Sequence, residues 1–288
     1  MTTFQEAMLS GAKLLAQADI SGGRVEARKL LSAVVGLDRA YILAHPECTL
    51  TPEQELRYAA LLQQRSQHEP LAYILGEQPF YGLDFIVDRH VLIPRPETEL
   101  LVELALAEIH TRISQGIIPV VADIGTGSGA IPIALAVTEP RLPSIYACDI
   151  SAEALEIARK NCERHHVSER VRLLEGDLIS PLPEPVDVLL ANLPYVGLDE
   201  QVEMSQDVLE YEPHLALFSG PLGLDLLFRL CKEVRTSGTL REGGIMLLEI
   251  GYRQCEPLTD LLHELWPHAS VTCHKDYADW DRLVQVSL

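Results

Sequence analysis

The chain has 288 residues, 47% of them hydrophobic and 23% charged, with a formal net charge of −19. That length exceeds what one compact domain usually needs and suggests a large domain beside a smaller one, with enough apolar residues to fill both cores. So acidic a chain is poorly suited to gripping a nucleic-acid backbone, where Lys and Arg must displace phosphate counterions; a positively charged protein partner suits it better.

Other classes are also disfavoured. No uninterrupted apolar run of ~18 residues is present, so no membrane span is expected. The opening residues MTTFQEAMLSGAKLLAQAD lack the basic start and apolar core of a signal peptide. Cys48, Cys148, Cys162, Cys231, Cys255 and Cys273 form no CxxC pair, which argues against zinc and against a disulfide framework. A reduced cytoplasm and no metal are therefore expected.

In chain order, residues 1–75 read as short helices. Phe4, Met8, Ala12 and Leu15 recur at helical spacing, as do Ala27, Leu30, Leu31 and Val34. A further helix starts at Pro52 behind Thr51, a good N-cap, and runs to about Gln67. This stretch holds eight acids and seven bases, so the excess acid lies after residue 75. Residues 76–95 read as a hairpin linker, with Phe80–Val87 and His90–Ile93 as strands around a turn at Asp88-Arg89. Phe80 and Tyr81 suit the hairpin core. Pro94 and Pro96 stiffen the next segment, and Pro96 suits the start of a helix carrying Leu100, Leu101, Leu104 and Ala105. Thr98 and Glu99 there are candidates to fold over a ligand; the plainer reading is an acidic first helical turn that favours the helix dipole.

From residue 117 the pattern alternates. Strands are expected over 117–124, 144–150, 171–177, 186–192 and 243–251, and helices over 129–137, 151–165 and 222–234. Residues 269–274 and 282–286 suit a closing hairpin. Such alternation implies a third segment, 96–288, with a mostly parallel sheet covered on both faces.

Asp123-Ile124-Gly125-Thr126-Gly127-Ser128-Gly129 lies where the first strand of that sheet meets its helix. Alternating glycines let the backbone turn tightly and approach a ligand. The next strand ends at Asp149, placed to reach ribose hydroxyls, and Asp177-Leu178 follows the third, where the Asp can accept from an adenine amino group. With Ala130 the glycines also fit a dinucleotide fingerprint. Asp123, however, would repel a pyrophosphate and suits a ligand carrying an ammonium and a sulfonium. The D-x-G-x-G-x-G form resembles the S-adenosylmethionine motif of Rossmann-like methyltransferases. S-adenosylhomocysteine is then the product.

Asn192-Leu193-Pro194-Tyr195 closes the fourth strand on the same sheet edge. An amide nitrogen is a poor nucleophile because its lone pair is delocalised. The Asn192 side-chain oxygen and the Leu193 carbonyl can accept its two N–H bonds and draw it toward a reactive geometry. Tyr195 can stack on the planar group, and Pro194 can stiffen the loop. Asn192 also stands beside the cofactor motif. The bland alternative is an Asn-capped turn followed by proline.

With these motifs on view, the chain resembles the release-factor glutamine methyltransferases over nearly its whole length. The resemblance rests on Pro70–Glu103, DIGTGSGAIPIALA, ACDIS, GDL, Ala216–Asp225, Leu248–Gly251 and the closing pairs Lys275-Asp276 and Asp281-Arg282 in family order. It implies a class I Rossmann-like methyltransferase sheet with a reversed last strand and an N-terminal helical substrate-binding domain. It also implies methylation of the glutamine N5 in the GGQ motif of class I peptide chain release factors, with no stable nucleic-acid partner. The family usually has Pro where this chain has Leu193. Asn-Leu-Pro-Tyr also occurs in ribosomal RNA adenine dimethyltransferases, so an adenine-N6 methyltransferase acting on ribosomal RNA or DNA is the alternative. A binding protein with impaired turnover is a third reading. His165 and His166 read as surface residues, and Glu249 as a weak candidate.

Overall fold

The computed structural model describes residues 2–288. It falls into two compact units, residues 2–77 with Ser205–Tyr211, and Gln78–Met204 with Glu212–Leu288.

The first unit is helical: α1 (Phe4–Gln17), α2 (Gly23–Val35), α3 (Arg39–Ala44), α4 (Pro52–Ser66) and α5 (Leu71–Leu75). Thr3 with Glu6 and Thr51 with Gln54 close capping boxes at the starts of α1 and α4, satisfying backbone N–H groups that the helices leave free. Leu15, Leu30, Leu31 and Ile42 are wholly buried at its centre. The Tyr58 hydroxyl sits among the carbonyls of Ala7 and Ala27 (3.2 and 3.1 Å), so α4 is tied to both α1 and α2.

The second unit begins with a hairpin, β1 (Glu77–Phe80) and β2 (Leu83–Ile86), then one 3-10 turn (Pro96–Thr98) leading into α6 (Glu99–Ser114). Alternating elements follow: β3 (Val121–Ile124), α7 (Ala130–Thr138), β4 (Ile145–Asp149), α8 (Ala152–Arg164), β5 (Val171–Glu175) and β6 (Val186–Ala191). After α9 (Gln206–Tyr211) come α10 (Asp225–Ser237), β7 (Leu240–Glu249), α11 (Cys255–Leu265), β8 (Ser270–Lys275) and β9 (Asp281–Ser287). The helix α9 lies in the stretch that groups with the first unit, where Asp207 pairs with Arg65 at 3.2 Å and the Tyr211 hydroxyl donates to the Gln67 carbonyl at 2.7 Å.

The sheet runs β5-β4-β3-β6-β7-β9-β8; β5 through β7 are parallel, and β9 is inserted antiparallel to both its neighbours. This is the Rossmann-like methyltransferase sheet with a reversed last strand that the sequence implied. Its strands alternate between two cores. Val121, Ile145, Val188 and Ile245 pack with α6 and α7, whereas Ala122, Tyr146, Leu189 and Met246 pack with α10 and α11. Burial on both faces explains why these strands read as continuous apolar runs.

Two expectations need correction. The hairpin turns at Tyr81-Gly82, both with positive φ (50° and 73°), and not at Asp88-Arg89; the left-handed pair matches the twist of a two-residue hairpin turn. Cys255 and Cys273 are joined in a disulfide with 6.3 Å between their Cα atoms. Their separation of 18 residues hid this, because α11 folds back onto β8 and brings the two together. No helix among the described residues is long and apolar enough to cross a membrane.

Candidate active site

The chain leaves β3 toward β4 on one side and β6 on the other, so the loops at these carboxyl ends diverge and open a crevice. A pocket of about 290 Å³ occupies it, walled by Gly125–Ser128, Asp149, Asp177, Leu178, Asn192–Pro194 and Thr98.

The glycine loop is held by backbone. The N–H groups of Gly125 and Thr126 both donate to the Cys148 carbonyl at 2.9 Å. Asp149 accepts from Gly127 N–H (2.7 Å) through one oxygen and from Ser151 N–H (2.9 Å) through the other. Burial raises its pKa, and those backbone donors oppose the rise. A Cβ at Gly127 (φ 54°) would meet nothing within 4 Å, so this backbone faces open space. Ser128 is buried, and its carbonyl accepts from Asn161 Nδ2 (2.9 Å); Asn161 also bonds the backbone of Ile86 in β2. Gly129 caps the start of α7.

Asp123 lies on β3, two residues before Gly125. It is wholly buried and is not part of the pocket wall. Burial pushes its carboxyl up to about 7, the Thr126 hydroxyl draws it down, and Asp149 raises it further. Neither carboxylate oxygen, nor Thr126 Oγ1, makes a well-formed hydrogen bond within the chain. Asp177 lines the pocket, and one of its oxygens is engaged by Arg229 of α10. Leu178 is buried at the wall with φ 48°.

On the other side, Asn192 Nδ2 donates to Thr98 Oγ1 at 3.1 Å. That leaves the Asn192 oxygen available as an acceptor. The Leu193 side chain is buried and reaches over the glycine loop; a Cβ added at Gly125 would lie 2.8 Å from Leu193 Cδ2. Tyr195 differs from the stacking role read from sequence. It does not line the pocket, and its hydroxyl donates to Glu249 Oε1 at 3.3 Å. Burial pushes the Glu249 carboxyl up to about 7, against the opposing effects of Thr98, Arg282 and Tyr195. His165 stacks on Phe85 of the hairpin, away from this site.

Several supporting residues were not legible in advance. Gln254 Nε2 donates to the carbonyls of Tyr195 (2.7 Å) and Leu222 (2.9 Å), pinning the loop after β6. Gly223, at φ 73°, allows the closest approach: a Cβ there would sit 1.9 Å from the Tyr195 oxygen. Arg95 pairs with the buried Glu212 at 2.5 Å, and Glu212 also accepts from Ile93 N–H at 3.2 Å. Arg95 and Gly223 sit inside segments that carried the resemblance, and Glu249 had been read as a weak candidate.

Comparison with known proteins agrees with this architecture. A model of the PrmC N-terminal domain matches residues 6–76, and one of the methyltransferase small domain matches residues 98–216. A release factor glutamine methyltransferase from Koribacter versatilis is 38% identical over 272 residues, covering 93% of each chain. One from Moorella thermoacetica is 38% identical over 281 residues, covering 97% of this chain and 96% of the relative. Among solved structures, the hMettl16 catalytic domain in complex with MAT2A 3′UTR hairpin 6 aligns with a TM-score of 0.56 at 16% identity, covering 81% of each chain, a likeness of fold. Identity at this level across almost the full length makes this chain a member of the release factor glutamine methyltransferase family.

Proposed function

We propose that the protein transfers a methyl group from S-adenosylmethionine to the N5 amide nitrogen of the GGQ glutamine in class I peptide chain release factors. The observation that carries this reading is the paired acceptor set at the pocket: Asn192, held by Thr98 through its nitrogen, and the backbone carbonyl of Leu193 beside it.

The residues present fit the cofactor. The open face at Gly127, the strand-end Asp149 and the buried, unsatisfied Asp123 carboxylate and Thr126 hydroxyl suit a ligand with ribose hydroxyls and positive charge. Gly125, Thr126, Gly127, Ser128 and Gly129 would form the cradle, with Asp149 at the ribose and Asp177-Leu178 at the adenine. When bound, S-adenosylmethionine supplies an electrophilic methyl group on a sulfonium. Asn192 and Leu193 take up the two N–H bonds of the incoming amide and turn its nitrogen toward the cradle, while Pro194 stiffens the loop. Tyr195 holds the loop from behind through its hydroxyl. Methylation of the neutral nitrogen releases one of its protons, which leaves to solvent.

We assign substrate gripping to the helical region (residues 1–75), linkage to residues 76–95 and transfer to residues 96–288, with the acidic surplus facing a basic loop of the release factor. Action in the cytoplasm follows from that substrate. The test is to incubate the protein with S-adenosylmethionine and a class I release factor and map the product by peptide mass spectrometry. One methyl group on the GGQ glutamine is expected. Methyl transfer to an RNA or DNA adenine, with none to that glutamine, would overturn the reading.

A further inference from the structure

We infer that Glu249 is a positioning residue, which through the Thr98 hydroxyl sets which end of the Asn192 amide faces the acceptor nitrogen. The inference deepens the methyl-transfer reading above and rests on it for its kinetic consequence.

Three residues from widely separated parts of the second unit supply the parts of a relay. Thr98 Oγ1 takes a hydrogen bond from Asn192 Nδ2 at 3.1 Å. A hydroxyl has one proton of its own to place. Thr98 is 4% exposed, so water is a poor recipient. Glu249, 1% exposed, uses Oε1 for the Tyr195 hydroxyl, while Oε2 is a buried acceptor short of a well-formed partner. The Thr98 side chain favours the charged form of this carboxylate, as a hydroxyl donating to it does. A hydroxyl with a proton to place and a buried acceptor lacking one are complementary, and leaving either unmade is costly.

An ionised carboxylate can only accept, so it fixes the direction of the whole chain. The Thr98 proton points to Glu249, the Asn192 N–H to Thr98, and the Asn192 oxygen to the pocket. A protonated Glu249 can donate instead. Thr98 would then turn its proton to the Asn192 oxygen, and the amide would present its NH2 end to the acceptor. The two ends of an amide occupy nearly the same space, so packing alone does not choose between them.

The groups facing Glu249 come from each element packed on it. Thr98 and Glu97 lie on the 3-10 turn, Tyr195 on the loop after β6, and Arg282 on β9, itself paired with Asp276 at 3.1 Å. Burial and Glu97 favour the neutral carboxyl, whereas Thr98, Arg282 and Tyr195 favour the charged one; the balance lies at about 7. The productive form is the charged one, present above that value and lost as pH falls through it.

Two variants and one spectrum test the assignment. Glu249→Met removes the acceptor; kcat should fall on the order of 10²-fold, as for loss of one preorganised polar contact, with the KM for release factor and the affinity for S-adenosylhomocysteine unchanged. Glu249→Gln offers one acceptor and one donor, as the protonated carboxyl does, and cannot ionise; at pH 8 its kcat should fall to the level that wild type reaches well below pH 7. Wild-type kcat should decline as pH drops through about 7, and that decline should be absent in Glu249→Gln. Wild-type turnover in Glu249→Met or, at pH 8, in Glu249→Gln, or a pH limb that persists in Glu249→Gln, would overturn the inference. The 15N-labelled side-chain amide of Asn192, assigned by its loss in Asn192→Ala, should titrate with Glu249 in wild type and stay fixed in Glu249→Gln. This signal needs no substrate. A protein that methylates no glutamine but shows the titration would sink the function and keep the relay; an amide signal indifferent to Glu249 would sink the relay.

Discussion

The proposed cofactor cradle and the proposed acceptor corner share one pocket but are built on different principles. The cradle is made almost wholly by backbone: N–H groups at 125 and 126 on the Cys148 carbonyl, and Gly127 N–H on Asp149. Its parts lie close in sequence and follow from one strand-turn-helix unit. The corner is made by side chains meeting across the fold, with Asn192 on Thr98, Tyr195 on Glu249 and Gln254 on the Tyr195 carbonyl. Backbone built around glycine tolerates little at the glycines and much around them, whereas a side-chain network depends on the chemical identity of each member.

That contrast can be broken or sharpened by substitution. Asn192→Ala should lower kcat by about 10²–10³-fold while leaving S-adenosylhomocysteine affinity within about twofold, since only the corner is damaged; retained transfer would remove Asn192 from the acceptor set. Gly223→Ala places a Cβ 1.9 Å from the Tyr195 oxygen at a positive φ. A loss of about 3 kcal/mol and a Tm lower by roughly 6–12 °C are expected in thermal denaturation, together with reduced turnover. An unchanged Tm would mean the loop after β6 adjusts freely. Asp149→Ala should weaken cofactor binding roughly tenfold by calorimetry, with kcat at saturating cofactor nearly intact. The reverse, a lower kcat at unchanged affinity, would show that cradle and corner are not separable. The smallest effect belongs to Leu193→Pro. The backbone carbonyl stays while the Leu193 N–H and its packing over Gly125 are lost, so kcat should remain within about threefold and stability within about 1 kcal/mol.

The same contrast explains what the sequence disclosed. Strand and helix alternation placed the parallel sheet, and Thr51 and Ser151 marked helix starts that the structure confirms as caps. The glycine loop and Asp149 were legible because their spacing along the chain is itself the geometry. Asp123 was read as suited to a ligand carrying an ammonium and a sulfonium, and it lies buried behind the pocket wall. Alternation identifies a strand but does not say which face of its end meets the crevice. Tyr195 was read as a stacking platform because its ring is planar; its hydroxyl partner, Glu249, lies 54 residues away and no local pattern announces it. Gln254, Gly223 and the Arg95–Glu212 pair were missed for the same reason, being contacts between distant turns of chain.

The grouping of Ser205–Tyr211 with the N-terminal helices makes the first unit discontinuous. A polypeptide ending at residue 77 would lack Asp207 and leave the nearly buried Arg65 with Glu26 as its remaining carboxylate. Conversely, a protein beginning at residue 78 would keep the six-residue α9 without the helices it groups with, and an isolated helix that short does not persist in water. The two halves are thus interleaved along the chain, and proteolytic or genetic scission near residue 77 should release neither as a finished piece.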